Sequence, residues 1–306
     1  MEVIYLKGQE LNIQHDIVGA IGFFDGLHKG HMALVDEVCR ISQETGYKKA
    51  LITFDHHPLY VLKQVKEEKY LTTITDRQEL LEKKGIDYLF VICFSKEVAA
   101  LSPQDFIQQY LIPCHIQHIV CGFDFRFGKN NQGDVKTLQQ CSYFTVSVVD
   151  EVIDHHQKIS SSRIRESLQN GDIPMVNHLL GRVYKIKGKV IYGKQIGRTI
   201  GFPTANIDYQ SYLLPQRGVY AVKVIIDGQV YLGMCNIGLN PTFHALNHFS
   251  LEVNIFEFHQ DIYGKEVVVE FYQQLRSEKK FQSQEELMQQ LHYDQNCVRK
   301  ILKGDE

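Results

Sequence analysis

The chain has 306 residues, 44% hydrophobic and 23% charged, with 33 Lys plus Arg against 36 Asp plus Glu and a formal net charge of -3. This length predicts two globular units, the composition excludes a disordered chain, and the charge excludes a global attraction to nucleic acid or an acidic membrane, so any anion must be held by local groups. No stretch is apolar enough to span a bilayer, the start MEVIYLKGQELNIQHD has no leader pattern, and the seven cysteines, among them Cys39, Cys93, Cys121 and Cys235, lack C-x-x-C spacing, so a cytoplasmic protein with reduced core thiols is expected.

Ile17 to Phe24 reads as a buried strand ending in Asp25-Gly26, and an amphipathic stretch follows from about His28 to Glu44: strand, tight turn, helix. The order recurs in KKALITF (Lys48 to Phe54), a helical piece from Asp76 to Lys84, DYLFVICF (Asp87 to Phe94) and a helix opening at Ser102-Pro103, where Ser suits the N-cap and Pro the first helical position. HIVCGF and FTVSVV follow. Buried strands alternating with helices predict a doubly wound α/β unit around a parallel sheet. Near Leu180-Gly181 the helical periods give way to short β-rich runs, with Asp227-Gly228 as a hairpin turn, and these predict a small antiparallel barrel. Ser283 with Glu286 three residues on predicts a capped terminal helix. The domains are placed at 1–180 and 181–306, and a fragment from about Gly181 is expected to fold alone.

The densest chemistry lies in Gly22-Phe23-Phe24-Asp25-Gly26-Leu27-His28-Lys29-Gly30-His31, where the first strand turns into the first helix. Glycines admit a ligand closely, and a helix start offers unpaired N–H groups with a partial charge of about +0.5, so phosphate fits there. His28 and His31 share one face of the opening turn and can both donate to phosphate, although an H-x-x-H pair alone also fits a metal site or two solvated residues. A second segment, Lys158-Ile159-Ser160-Ser161-Ser162-Arg163-Ile164-Arg165, precedes another helix; alone it also fits an ordinary capped helix start. Gly188 to Lys194 has P-loop spacing, but Gln195 stands where Ser or Thr must meet magnesium and no helix follows, so that reading is rejected.

Together the first two segments resemble the nucleotidyltransferase superfamily, whose first motif is H-x-G-H and whose second is a Lys/Ser/Arg-rich helix start. Gly122-Phe123-Asp124-Phe125-Arg126-Phe127-Gly128, followed by Gly133-Asp134, and Thr53-Phe54-Asp55-His56-His57-Pro58 resemble stretches of the bacterial bifunctional riboflavin kinase/FMN adenylyltransferases. Two departures stand out: His56 replaces a more usual Pro, and the neutral run Asn130-Asn131-Gln132 replaces a basic residue. The stretch from Gly193 through Gly197 and Gly201 to Phe202-Pro203-Thr204-Ala205-Asn206 resembles the riboflavin kinase signature, and Asn236 to Phe243, Glu252, Tyr263 and Arg276 to Phe281 follow that family in order.

The resemblance implies a Rossmann-like nucleotidyltransferase domain followed by a β-barrel kinase domain with a terminal helix. It implies phosphorylation of riboflavin to FMN, then adenylyl transfer to FMN giving FAD and pyrophosphate, with ATP as co-substrate, Mg²⁺, and no nucleic acid partner. By the same resemblance Gly22, Phe23, Asp25, Gly26, Gly30, Lys158, Ser161, Ser162 and Arg165 bind the nucleotide beside the catalytic His28 and His31. In the kinase half Gly193, Gly197 and Gly201 bind nucleotide, Thr204 and Asn206 hold the metal, and Glu252 is the general base. Asp124, Phe125 and Arg276 are implied flavin contacts. Two rival readings remain: an aminoacyl-tRNA synthetase fragment, whose signatures H-K-G-H and K-I-S-S-S echo, and a flavin or nucleotide sensor without turnover. The first lacks a basic RNA-binding region and leaves the second half unexplained; intact His28, His31, Thr204, Asn206 and Glu252 argue against the second.

Overall fold

A sheet whose inner strands are buried on both faces builds the first compact unit, Met1–Ser161, of the computed structural model, which describes residues 1–9, 11–62, 67–193, 197, 201–239 and 249–303. The unit contains β1 (Glu2–Leu6), β2 (Ile17–Ile21), β3 (Lys48–Phe54), β4 (Tyr88–Ile92), β5 (Ile116–Gly122) and β6 (Thr145–Val149), followed by the hairpin β7 (Ile153–Asp154) and β8 (Gln157–Lys158). Its helices are α1 (Lys29–Thr45), α2 (Pro58–Val61), α3 (Ile74–Glu82), α4 (Lys96–Ala99), α5 (Pro103–Phe106) and α6 (Val135–Gln139). The first six strands pair in parallel in the order β1-β4-β3-β2-β5-β6. Side chains alternate between two cores: Ile17 and Ile21 of β2 join one, while Val18 and Ala20 join the other with Leu34, Val35 and Val38 of α1. From β2 the chain runs to β3 and β4 on one side, then crosses to β5 on the other. The carboxyl ends of β2 and β5 therefore form the topological switch point, where open α/β sheets leave a crevice for ligands.

Local chemistry explains the helix starts. Ser102 caps α5 and Pro103 follows it, as expected. Helix α3 begins earlier than the predicted Asp76, because Thr73 and Asp76 form a reciprocal capping box. Burial raises the thiol pKa of Cys121 to about 11, as expected for a core thiol, whereas Cys39 and Cys93 are half-buried.

The second unit is Ser162–Glu306. It contains α7 (Ser161–Gln169), which starts at the boundary, α8 (Ile173–Leu180), β9 (Tyr184–Ile191), β10 (Ala205–Asp208), β11 (Gly218–Ile226), β12 (Gln229–Leu239), β13 (Phe249–Ile255), β14 (Glu266–Arg276) and α9 (Gln284–Lys303). The strands close an antiparallel barrel in the order β10-β13-β12-β11-β14-β9. Asp227 and Gly228 turn β11 into β12 with φ of 50° and 80°, the two left-handed residues that a tight hairpin needs. At α9 the Glu286 N–H donates to Ser283 Oγ (3.2 Å), while the Glu286 carboxylate takes the N–H of Gln282 (2.9 Å). Lys194, Gln195, Arg198, Thr199 and the stretch Pro241-Thr242-Phe243 lie outside the described residues.

Helices α7 and α8 belong to the barrel unit by their bonds. Asn177 donates to Phe271 O (2.9 Å) and accepts from Tyr184 N (2.7 Å), and Gln216 N donates to Leu168 O (2.8 Å). Ile173, Val176 and Leu179 of α8 are fully buried. Burying such a side chain contributes about 1.5–3 kcal/mol. A fragment 162–306 is therefore expected to melt well above a fragment 181–306 in circular dichroism, and equal melting temperatures would show that the two helices add nothing to the barrel.

Candidate active sites

At the switch point the turn from β2 into α1 is held in a costly shape. Phe24 and Leu27 have φ of 54° and 38°, a region that costs a side-chain-bearing residue about 1–3 kcal/mol and persists only when its surroundings over-determine it. The surroundings do so. The Asp25 carboxylate, 2% exposed, accepts from Leu71 N (2.9 Å) and Thr72 N (3.1 Å), while Gly26 N donates to Thr72 Oγ1 (2.8 Å). The Phe23 carbonyl accepts from Thr53 Oγ1 (2.8 Å) and from Arg77 (3.0 Å).

Beyond this turn His28 is the N-cap of α1: its Nδ1 accepts the N–H of His31 at 3.2 Å. An accepting Nδ1 places the ring proton of the neutral imidazole on Nε2, where it can be donated. The rings of His28 and His31 stack at 3.6 Å, and His31 meets Phe24 edge-on at 5.2 Å. Gly30 leaves room for this stack, since a Cβ there would lie 3.1 Å from two atoms of the His28 ring.

A cavity of about 230 Å³ opens at this point, lined by Gly22, His28, Gly30 and His31 from the first motif and by Asp124, Phe125, Lys158 and Ser161 from later segments. Lys158, delivered by β8, pairs with the Asp124 carboxylate and lies 4.7 Å from the centre of the Phe123 ring. Ser161 Oγ donates to Asp25 O (2.8 Å), tying the second motif to the first. Phe23, Asp25 and Gly26 do not line the cavity; they hold the turn that shapes it. Ser162 and Arg165 lie in the early turns of α7, in the second unit. The departures from the family pattern have local explanations. His56 Nδ1 is 2.8 Å from Glu68 Oε2, and Asn130 and Asn131 have φ of 53° and 57°, a conformation Asn tolerates better than a long basic residue does.

In the barrel, register gathers the second site. Asn206 of β10 lies opposite Glu252 of β13, Glu252 opposite Asn236 of β12, Asn236 opposite Val219 of β11, and Val219 opposite Arg276 of β14. Residues directly opposite one another share a face, so one rung brings these side chains together. Leu251 and Val253 alternate into the barrel core at 1% exposure each, and β13 is an inner strand, so Glu252 is not a stray edge carboxylate. Beside it, burial foremost and the Glu252 charge second raise the pKa of Cys235 and keep it a thiol.

Glu252, Asn236, Arg276, Thr204 and Gly197 line a cavity of about 330 Å³. Thr204 also lines a neighbouring cavity of about 240 Å³ with Val190, His259 and Tyr263. Gly193 stands where a Cβ would run into the Asn206 amide, and Gly201 turns the chain with φ of 78°. Asn254 Nδ2 donates to Pro203 O (2.7 Å), fixing the approach to Thr204. Arg276 presents Nε and Nη2, each 2.9 Å from Asp294 Oδ2 of α9, and Gln290 Nε2 donates to Asp294 Oδ1 (2.8 Å). Among the described residues no group of three His, Cys, Asp or Glu could hold a metal by itself.

Asn236, Asp294 and Arg77 escaped the sequence reading as site residues. Asn236 opened a stretch that follows the kinase family in order, and the four-residue spacing of Gln290 and Asp294, which puts both on one face of α9, was the one local signal for the other two.

Residues 10–163 match the family described as FAD synthetase, and residues 180–302 the family described as riboflavin kinase. A bifunctional riboflavin kinase/FMN adenylyltransferase from Bacillus subtilis is 44% identical over 289 residues, covering 92% of this chain and 92% of its own. One from Listeria monocytogenes is 42% identical over 286 residues, covering 92% and 91%. A solved structure described as a macrolide-efflux protein from Streptococcus pneumoniae aligns with a TM-score of 0.91 at 32% identity, covering 98% of this chain and 99% of that one. Among the described residues of the present chain no helix is long and apolar enough to cross a membrane. With both halves matched in order over nearly its whole length, the chain belongs to the family of bifunctional riboflavin kinase/FMN adenylyltransferases.

Proposed function

We propose that the barrel unit phosphorylates riboflavin to FMN with ATP, and that the cavity at the β2–α1 turn joins FMN to AMP from a second ATP. The observation that carries the first half is the rung Asn206–Glu252–Asn236, which sets a carboxylate between two amides, with Glu252 and Asn236 lining a cavity. Glu252 takes the proton of the riboflavin 5′-hydroxyl as its oxygen attacks the γ-phosphorus, and ADP leaves. The larger cavity, with Met234, Phe281 and Leu291 in its lining, suits the flat apolar flavin; the smaller one takes the nucleotide, and Thr204 stands between them. Arg276, steadied by Asp294, faces the flavin side. Gly193, Gly197 and Gly201 let the chain pass close to the nucleotide phosphates.

Thr204 and Asn206 offer neutral oxygens, a donor set that suits magnesium shared with phosphates rather than caged by protein. Bound there, magnesium neutralises phosphate charge.

In the first unit the FMN phosphate is already an anion and attacks the α-phosphorus of ATP directly, with pyrophosphate leaving. The task is to hold two polyanions in line and to receive charge on the departing oxygens. His28 Nε2–H and His31 supply donors beside the N–H groups of the α1 start. An ammonium has three N–H donors, so Lys158 can bond Asp124 and still reach phosphate. Ser161, which lines the same cavity at the start of α7, adds a neutral donor. Asp124 and Phe125, which line the same cavity, are assigned to the flavin. Seven free cysteines suit a reducing cytoplasm.

Glu252→Ala is expected to abolish FMN formation from riboflavin while FAD formation from supplied FMN continues; equal loss of both by chromatography of the products refutes the base. His28→Ala with His31→Ala should stop the pathway at FMN. Each lost donor is expected to raise the barrel-independent step by about 2.7–4 kcal/mol, so an unchanged FAD rate refutes that site. Excess EDTA is expected to stop both reactions, and undiminished turnover would remove magnesium from the account.

A further inference from the structure

Arg77 is among the largest side chains wholly out of water, at 2% exposure, yet it lines none of the cavities described above and lies in neither motif. Stability alone does not explain a buried cation, since a buried ion pair is often replaced by apolar residues of similar volume without loss. Its bonds do. Nη1 donates to Phe23 O (3.0 Å) and Thr53 Oγ1 (3.2 Å), Nη2 donates to Thr72 O (3.3 Å) and lies 3.7 Å from Asp25 Oδ1, and Nε donates to Thr72 Oγ1 (3.4 Å). Phe23 and Tyr70 present their rings to the guanidinium at 5.1 and 5.9 Å. These partners belong to the turn ending at His28, to its anchor at Leu71-Thr72, or to the neighbouring β3.

The geometry points to Arg77 as a positioning residue for adenylyl transfer: from α3 it fixes the left-handed turn at Phe24 and Leu27, and so the place of His28, His31 and the Asp25 carbonyl that receives Ser161. A planar fork spans four acceptors in fixed directions, and a lysine ammonium of equal charge does not. The inference rests on the proposed assignment of adenylyl transfer to this cavity.

The test uses the full chain and measures kcat and KM for FAD formation from FMN and ATP, riboflavin phosphorylation in the same sample, and thermal unfolding. Arg77→Lys is expected to lower kcat for FAD formation about 100-fold, the scale of a misplacement near 1 Å, with KM for ATP little changed and phosphorylation intact. Leu81→Ala, which removes a buried side chain from the same helix, is the control: it should lower the melting temperature and leave kcat of the folded protein near wild type. Wild-type kcat in folded Arg77→Lys overturns the proposal, and so does an equal kcat loss in Leu81→Ala. Should Arg77→Lys fail to fold, Thr72→Val decides, because it deletes the hydroxyl that bridges Gly26 N and Arg77 Nε; unchanged kcat there also overturns it. The His28→Ala, His31→Ala chain separates the two claims. Wild-type FAD formation in that chain sinks the site assignment, whereas an inactive double variant beside a fully active Arg77→Lys sinks the positioning role alone.

Discussion

Beneath the turn between β2 and α1 the Arg77 guanidinium lies 3.7 Å from the Asp25 carboxylate, and both side chains are 2% exposed. Such a pair repays its desolvation only when the remaining donors and lone pairs are also satisfied. Here backbone groups satisfy them, namely the amides of Leu71 and Thr72 on the carboxylate and the carbonyls of Phe23 and Thr72 on the guanidinium. The pair therefore costs little only while the turn keeps its shape, and the turn keeps its strained shape only while the pair is present. That mutual dependence makes a short loop rigid enough to present two stacked histidines and a helix start to one small cavity.

The second unit solves the same problem by another route. Antiparallel register does the placing of Glu252. Since side chains alternate every second residue, a slip of one position would turn Glu252 into the barrel interior and Leu251 and Val253 out toward the cavity. Closure of the barrel removes the freedom to slip, because β13 is fixed by β10 on one side and by β12 on the other. Helix α9 adds a check from outside through Asp294, whose carboxylate holds the Arg276 fork at the end of that rung.

Local grammar made much of this legible in the sequence. An apolar run stopping at Asp25-Gly26 before an amphipathic stretch marked the strand, turn and helix that carry His28 and His31, and Asp227-Gly228 marked its hairpin. What stayed hidden is nonlocal. Arg77 reaches partners 5, 24 and 54 positions away, and its residue type on a charged helix gave no sign that it would be buried. Asn236 became a site residue only when β12 was known to neighbour β13, a choice that periodicity along one strand cannot express. The helix after the Lys158 segment was legible as one, but the bonds from Asn177 to Tyr184 and Phe271 that tie α8 to the barrel are tertiary.

Two devices, a pinned loop and a locked register, thus serve two phosphoryl chemistries that share one intermediate. The two proposed sites share FMN, the product of one and the substrate of the other. The most direct measurement mixes two full-length variants, Glu252→Ala and the His28→Ala, His31→Ala chain, with riboflavin, ATP and magnesium, and follows FAD over time. Neither variant alone is expected to make FAD from riboflavin, whereas the mixture is, with FMN released by one chain and adenylylated by the other. A mixture that accumulates FMN and no FAD, while Glu252→Ala still converts supplied FMN, would contradict that sharing of FMN.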